Sequence, residues 1–419
     1  GVRTFTPTRR SPRVPPRSGV MPRPLIVRTS PDCTPAQLDE AVAAARAAFP
    51  AWSATSDADR GALLKQAAGV LFAHADELKR LLTAEQGKPH DEADFEVKAA
   101  AFWLSAFADI AIPVEVNEDG PERKSVTRHV PIGVVAGISP WNFPVLLSFW
   151  KIAPALRAGN CMVLKPSPFT PLTMLRIGEL LRDVFPAGVL QIITGGDALG
   201  PLVTAHPGFG KVSFTGSTAT GKKVMASAAA DLKRVTLELG GNDAAIVLPD
   251  VDVATVAGPL FWAAFRNSGQ ICIATKRLYI HDSIYDDLSA AIVDYAGTVT
   301  MGDGAEQGVG LGPVQNRVQF DRVTDLIRDC HDQGYRFLLG GDVDEAAPGN
   351  FIPVSILDNP PEDSRIVREE PFGPVLPLLR WSDLDDVIAR TNDSEYGLAG
   401  SVWSADLDQA QAVADRMET

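Results

Sequence analysis

Lys211-Val-Ser-Phe-Thr-Gly-Ser-Thr-Ala-Thr-Gly221 carries the pattern that decides the fold. A strand-length run ends at Gly216-Ser217 and passes straight into a helix-forming stretch, Thr218–Ala229. Backbone N–H groups at such a helix start attract phosphate. The spacing is not Gly-x-Gly-x-x-Gly, however, and a capped turn explains it equally well. The same alternation extends on both sides. Strands are expected at Gly133–Ile138, Cys161–Leu164, Val189–Ile193, Lys211–Phe214 and Arg234–Leu239. Helices are expected near Leu146–Arg157, Leu172–Val184, Leu199–His206 and Thr218–Ala229. Short apolar strands alternating with helices predict an α/β fold whose mostly parallel sheet is covered on both faces. A second series follows at Ala244–Val247, Val253–Arg266, Arg277–His281, Ile284–Ala296 and Arg317–Gln333. The seam between the two falls near Gly240-Gly241.

Upstream, Ala and Leu recur at helical spacing over Gln37–Trp52, Asp57–Leu82 and Asp91–Ile110. Val114–Gly120 and Lys124–Val130 read as two strands joined by a turn at Asp119-Gly120, an arm or linker outside the α/β pattern. Residues 1–30 form a leader in which Arg3, Arg9, Arg10, Arg13, Arg17, Arg23 and Arg28 precede the first acid, Asp32. Such composition suits a transit peptide, but its prolines oppose the amphipathic helix those peptides form. The preferred reading is a disordered leader or an appended remnant, with Met21 as the true start.

At 419 residues the chain should hold more than one domain. A net charge of −13 disfavours nucleic acid and anionic membranes as partners. No apolar run is long enough to span a bilayer. Cys33, Cys161, Cys272 and Cys330 lack metal-ligand spacing and are too few for a disulfide scaffold. No metal site is expected, and a cytoplasmic setting follows.

Cys272 lies among small and polar neighbours in Asn267-Ser-Gly-Gln-Ile-Cys-Ile-Ala-Thr275. A thiol attacks only as thiolate, so it needs a lowered pKa or a nearby base. Cys272 is otherwise a small buried hydrophobe, as Cys161 is expected to be. Glu238 closes a strand ahead of Gly240-Gly241, where ligands bind in open α/β sheets. It reads as a catalytic carboxylate, a ribose ligand or a salt-bridged surface residue. Lys165 closes another strand and could reach ribose or phosphate. Asn142, between Pro140 and Pro144, offers either an amide donor for an oxyanion or a turn.

Taken together, Pro140-Trp-Asn-Phe-Pro144, Leu164-Lys-Pro-Ser167, Phe214-Thr-Gly-Ser-Thr218, Leu237-Glu-Leu-Gly-Gly241, Gly269-Gln-Ile-Cys272 and Glu369-Glu-Pro-Phe-Gly-Pro374 resemble the NAD(P)-dependent aldehyde dehydrogenase superfamily in order and spacing. The resemblance covers roughly Pro35 to the C-terminus. It implies an atypical Rossmann cofactor domain (31–110 and 131–240), a β-hairpin oligomerisation arm (111–130) and an α/β catalytic domain (241–419). It implies oxidation of a small aldehyde to its acid with NAD, or alternatively NADP, in a homodimer or homotetramer. Cys272 would be the nucleophile, Asn142 an oxyanion donor and Glu238 the water-activating base. Lys165, Gly216, Ser217, Gly221, Glu370, Phe372 and Trp141 would hold the cofactor. Leu146 and Trp150 would line the substrate tunnel. Arg266 matches a carboxylate-gripping position of semialdehyde-oxidising relatives, whose second arginine falls at Trp150.

The resemblance also implies a strand, glycine-rich loop and tail beyond the segment matching Ala410–Thr419, so the chain reads as C-terminally short. An inactive scaffold is the alternative that this raises. Pro168 stands where many NAD users carry a glutamate for the adenosine ribose.

Overall fold

The computed structural model describes residues 29–419, which form two compact units. The leader expected over residues 1–30 lies almost wholly outside the described residues. The first unit comprises residues 29–86 and 90–238, and the second comprises 87–89 and 239–419.

The first unit opens with α1 (Pro35–Ala54), α2 (Asp57–Ala73), α3 (Ala75–Gln86) and α4 (His90–Ala108). Thr34 and Gln37 close a reciprocal capping box on α1, and the Ser56 hydroxyl accepts from the Asp59 N–H at α2. The single helix expected over Asp57–Leu82 is therefore two. It breaks at His74 (φ −107°, ψ 13°), whose N–H turns back to the Val70 and Phe72 carbonyls. No proline or glycine marks that break.

β1 (Glu115–Asp119) and β2 (Lys124–Thr127) pair antiparallel as a hairpin with both faces largely exposed. Next come β3 (Val134–Ile138), α5 (Leu146–Arg157), β4 (Cys161–Lys165), α6 (Leu172–Leu180) and β5 (Leu190–Ile192). The unit ends with α7 (Leu199–Ala205), β6 (Lys211–Thr215), α8 (Thr218–Ala229) and β7 (Arg234–Glu238). Helix α6 is shorter than the Leu172–Val184 expected, ending in turns ahead of Pro186. These five strands form one parallel sheet in the order β5-β4-β3-β6-β7. β4 is buried throughout, which is why Cys161–Leu164 reads as an uninterrupted apolar run ahead of Lys165. Strand order reverses between β3 and β6, so their C-terminal ends frame the crevice where such sheets bind ligands.

The second unit holds β8 (Ala244–Val247), α9 (Val253–Phe265), β9 (Arg277–His281), α10 (Tyr285–Ala296), α11 (Arg317–Asp332), β10 (Phe337–Leu339) and β11 (Ser355–Asp358). α12 (Arg365–Arg368), β12 (Val375–Trp381), α13 (Leu384–Asn392), β13 (Gly400–Trp403) and α14 (Leu407–Ala414) complete it. Its sheet runs β10-β11-β12-β9-β8-β13, parallel except for the antiparallel edge strand β10. Alternate side chains feed two separate cores. Ala244, Ile246 and Tyr279 pack with Phe320 and Val323 of α11, whereas Ala245, Val247, Leu278 and Ile280 pack with Leu260 and Phe261 of α9.

Candidate active site

In the first unit the candidate residues gather along one edge of the sheet, at the strand ends. β3 runs into Ser139–Pro144, where Asn142 is buried and Trp141 half-buried. The loop is fixed from below by Glu96 of α4, a fully buried carboxylate. Its Oε1 accepts from the Val145 N–H (2.8 Å) and the Leu146 N–H (3.1 Å), capping α5. Ser148 adds a 2.8 Å hydroxyl bond to Ser139 across the same turn. Glu96→Ala would leave one buried donor (Val145 N–H) and one partly buried donor (Leu146 N–H) without this cap, at a cost of about 1–3 kcal/mol. A lowered denaturant midpoint together with a reduced kcat is the expected result, and an unchanged midpoint would contradict it.

At the end of β4, Lys165 is buried and its Nζ lies 3.4 Å from the Pro166 carbonyl. Burial pushes its ammonium below the usual range, while Asp197 and Asp32 oppose that shift. At the end of β6, Gly216 donates its N–H to the Glu238 carbonyl at 3.1 Å, tying the glycine turn to the last residue of β7. Ser217 then caps α8 by accepting from the Thr220 N–H, and the Gly221 N–H donates to the Ser217 carbonyl at 2.9 Å. Ser217 and the Glu238 side chain are exposed and Gly221 is buried.

Leu146 and Trp150 stand one turn apart on α5. Trp150 is 40% exposed and packs against Trp103 of α4 with ring centroids 5.3 Å apart. The same helix carries Lys151, which sequence reasoning passed over. Its buried ammonium donates to Thr215 Oγ1 at 2.6 Å. Burial lowers its pKa to about 8, with the Glu238 carboxylate holding it up from falling further. The available signal was one charge in the otherwise uncharged run Leu146–Leu156.

In the second unit, α9 ends at Phe265, and Arg266 caps it in an extended conformation (ψ 141°). Asn267 (φ 50°), Ser268 (φ 55°) and Gly269 (φ 73°) then follow one another in the left-handed region. A non-glycine residue held there costs about 1–3 kcal/mol, so neighbouring bonds must over-determine the turn. They do. The Ser268 hydroxyl donates to the Gly312 carbonyl (2.7 Å), and Gln270 Nε2 donates to the Asn267 carbonyl (2.8 Å). Gln270 Oε1 in turn accepts from the Gln315 N–H (2.9 Å). Gly269 is also required sterically, because a Cβ there would drive into the Gly373 carbonyl. The turn carrying Cys272 thus abuts the turn carrying Glu370 and Phe372.

Cys272 is half-buried and free. Burial raises its thiol pKa, the positive charge of Lys276 opposes that rise, and Asp243 and Glu370 add to it. Glu370 Oε1 accepts from the Gly241 N–H (3.1 Å) and lies 3.8 Å from Lys276 Nζ. Phe372 is left-handed (φ 49°), held by Gln319 Nε2 donating to the Pro371 (2.9 Å) and Phe372 (3.1 Å) carbonyls. Sequence reasoning missed Lys276 and Asp243, which carry no local signal beyond lying close to the motifs. Cys161 and Cys330 are buried, and burial pushes each thiol up to about 12. Among the described residues, no cluster of His, Cys, Asp and Glu is arranged to hold a metal ion.

The sequence profile described as "Aldehyde dehydrogenase family" matches residues 24–419. Aldehyde dehydrogenase LUC3 of a Fusarium species is 42% identical over 407 residues, covering 96% of this chain and 85% of that protein. The NADP(+) succinate-semialdehyde dehydrogenase GabD of Escherichia coli is 38% identical, covering 90% and 79% respectively. Among solved structures, an NAD+ complex of a Bacillus cereus aldehyde dehydrogenase aligns with a TM-score of 0.89 at 34% identity, covering 92% of this chain and 80% of that one. An Escherichia coli NADP-dependent enzyme aligns with a TM-score of 0.90 at 37% identity, covering 93% and 82%. The chain belongs to the aldehyde dehydrogenase family.

Proposed function

We propose that the protein oxidises an aldehyde to its carboxylic acid through a covalent bond to Cys272. The observation that carries this reading is a half-buried free cysteine at the end of a strained, fully braced turn, in a chain of this family. The Cys272 sulfur, once deprotonated, attacks the aldehyde carbon, and the carbonyl electrons move onto oxygen. The Asn142 amide and the Cys272 backbone N–H donate to that oxyanion. NAD, or NADP as the alternative, supplies the hydride acceptor when bound. Loss of hydride leaves a thioester on Cys272. Glu238 takes a proton from water, hydroxide adds to the thioester carbon, and the thiolate departs to leave the acid. Because burial raises the Cys272 thiol, the sulfur needs a proton acceptor or a nearby cation before it attacks.

The donor set suits a dinucleotide. Ser217 and Gly216 offer a helix start to the pyrophosphate, and Gly221 keeps the first turn of that helix close. Lys165 would hold the adenosine ribose and Glu370 the nicotinamide ribose, with Phe372 and Trp141 beside them. The first unit is then the cofactor domain, the second the catalytic domain, and the β1–β2 hairpin an arm for homo-oligomer assembly. No described helix is long and apolar enough to cross a membrane, and a cytoplasmic enzyme fits the four free cysteines. Reduced nicotinamide should form with a panel of aliphatic, aromatic and carboxylated aldehydes only when NAD or NADP is present. No turnover with either nucleotide would overturn the reading.

A second reading makes the substrate a semialdehyde. It is favoured by Arg266, half-buried six residues before Cys272, and by the likeness to the Escherichia coli succinate-semialdehyde dehydrogenase. Arg266→Met should then raise KM about tenfold or more for a carboxylated aldehyde and leave its uncharged homologue unaffected. Equal loss on both substrates would exclude the carboxylate role.

A further inference from the structure

Lys276 is a buried cation that the proposed reaction leaves without a task. The turn Ile271–Ala274, closed by the Ala274 N–H donating to the Ile271 carbonyl (3.2 Å), brings Lys276 back over Cys272. Its Nζ donates to the Cys272 carbonyl at 2.6 Å and to the Ala274 carbonyl at 3.2 Å. Its side chain is 3% exposed and faces the Glu370 carboxylate at 3.8 Å. The Lys276 and Arg277 N–H groups both donate to the Asp243 carbonyl (2.9 and 3.2 Å), anchoring the start of β9. A buried ammonium is kept charged only by such partners.

We propose that Lys276 is a positioning residue that clamps the carbonyl of Cys272 and holds a buried positive charge beside it, so setting how readily that sulfur attacks an electrophile. The charged groups of the second unit that bear on the thiol are Lys276, Asp243 and Glu370. Those bearing on Lys276 are Glu370, Asp243 and Cys272 itself. Arg277 offsets Asp243, while Arg322 and Tyr396 border Glu370. One cation thus works against two carboxylates. The thiolate gains from the cation, and the fixed carbonyl holds the backbone on the C-terminal side of Cys272 in one orientation.

The proposal deepens the reading of Cys272 as nucleophile and rests on it, yet its test needs neither aldehyde nor nucleotide. Iodoacetamide reacts with the thiolate, displacing iodide, and peptide mapping isolates Cys272 from the other three cysteines. The measured quantity is the pH midpoint of Cys272 alkylation in the full chain. Lys276→Met should raise that midpoint by about one pH unit, slowing alkylation about tenfold below it, with the high-pH plateau retained. Lys276→Arg should restore it. Asp243→Asn, which keeps the acceptor for the Ala399 N–H, should lower it. A common midpoint in all four proteins would overturn the proposal, as would a Lys276→Met effect confined to the plateau. If Lys276→Met moves the midpoint while Cys272→Ala still oxidises aldehyde, Lys276 tunes the thiol and the nucleophile reading alone fails.

Discussion

Cys272→Ala is expected to abolish aldehyde-dependent reduction of NAD or NADP, by about four orders of magnitude or more. The loss follows from the chemistry, not from the fold. Alanine fills nearly the same space on a half-buried turn whose shape is set by the Ser268 and Gln270 hydrogen bonds and by Gly269. Without the sulfur no thiohemiacetal forms, and hydride would have to leave a hydrated aldehyde unaided. Nucleotide affinity and thermal stability should stay near those of the parent. Wild-type rates in the variant would remove the covalent mechanism. The other cysteines offer no substitute, since Cys161 and Cys330 are buried and Cys33 lies just ahead of α1, where its N–H donates to the Thr194 carbonyl, with no part in the braced turn.

Glu238→Gln should separate the two halves of the reaction. Acylation of Cys272 continues, so a first-turnover burst of reduced nicotinamide is expected. Hydrolysis of the thioester then slows by about 10²–10⁴, the usual contribution of a positioned general base. Glutamine keeps the backbone bond by which the Gly216 N–H reaches residue 238, so the glycine turn stays in place. An added thiol or amine should relieve the block by accepting the acyl group. A steady-state rate equal to the parent, with no burst, would remove Glu238 from the water-activating role.

Much of the fold could be read because parallel strands covered on both faces are apolar without interruption. β3 and β4 fall within one residue of their expected bounds for that reason, and β6, although Lys211-Val-Ser-Phe-Thr215 is not wholly apolar, matches as closely through its place in the strand–helix alternation. β12 was passed over, although it is central in its sheet, because Pro377 lies within it and proline argues against an interior strand. β10 has only three half-buried residues, too few for a pattern. The break at His74 depends on how α2 and α3 pack, which no turn residue announces.

The site divides along a similar line. Cys272, Glu238, Asn142, Lys165 and Glu370 stand in motifs that read locally, at strand ends or in glycine- and proline-marked turns. Glu96, Lys151 and Lys276 do not. Glu96 acts on a helix start 49 residues away, and Lys151 on a hydroxyl 64 residues away. Lys276 is close in sequence, but its meaning comes from Asp243 and Glu370, supplied by distant segments. Side chains that act through tertiary partners leave little trace in the local pattern.

Mass spectrometry of the Glu238→Gln variant, quenched during turnover with aldehyde and nucleotide, tests the central claim most directly. The account predicts a thioester on the peptide containing Cys272, a mass gain equal to the aldehyde less two hydrogens, absent when nucleotide is withheld. Turnover with that peptide unmodified, or with the acyl group on another residue, would contradict it.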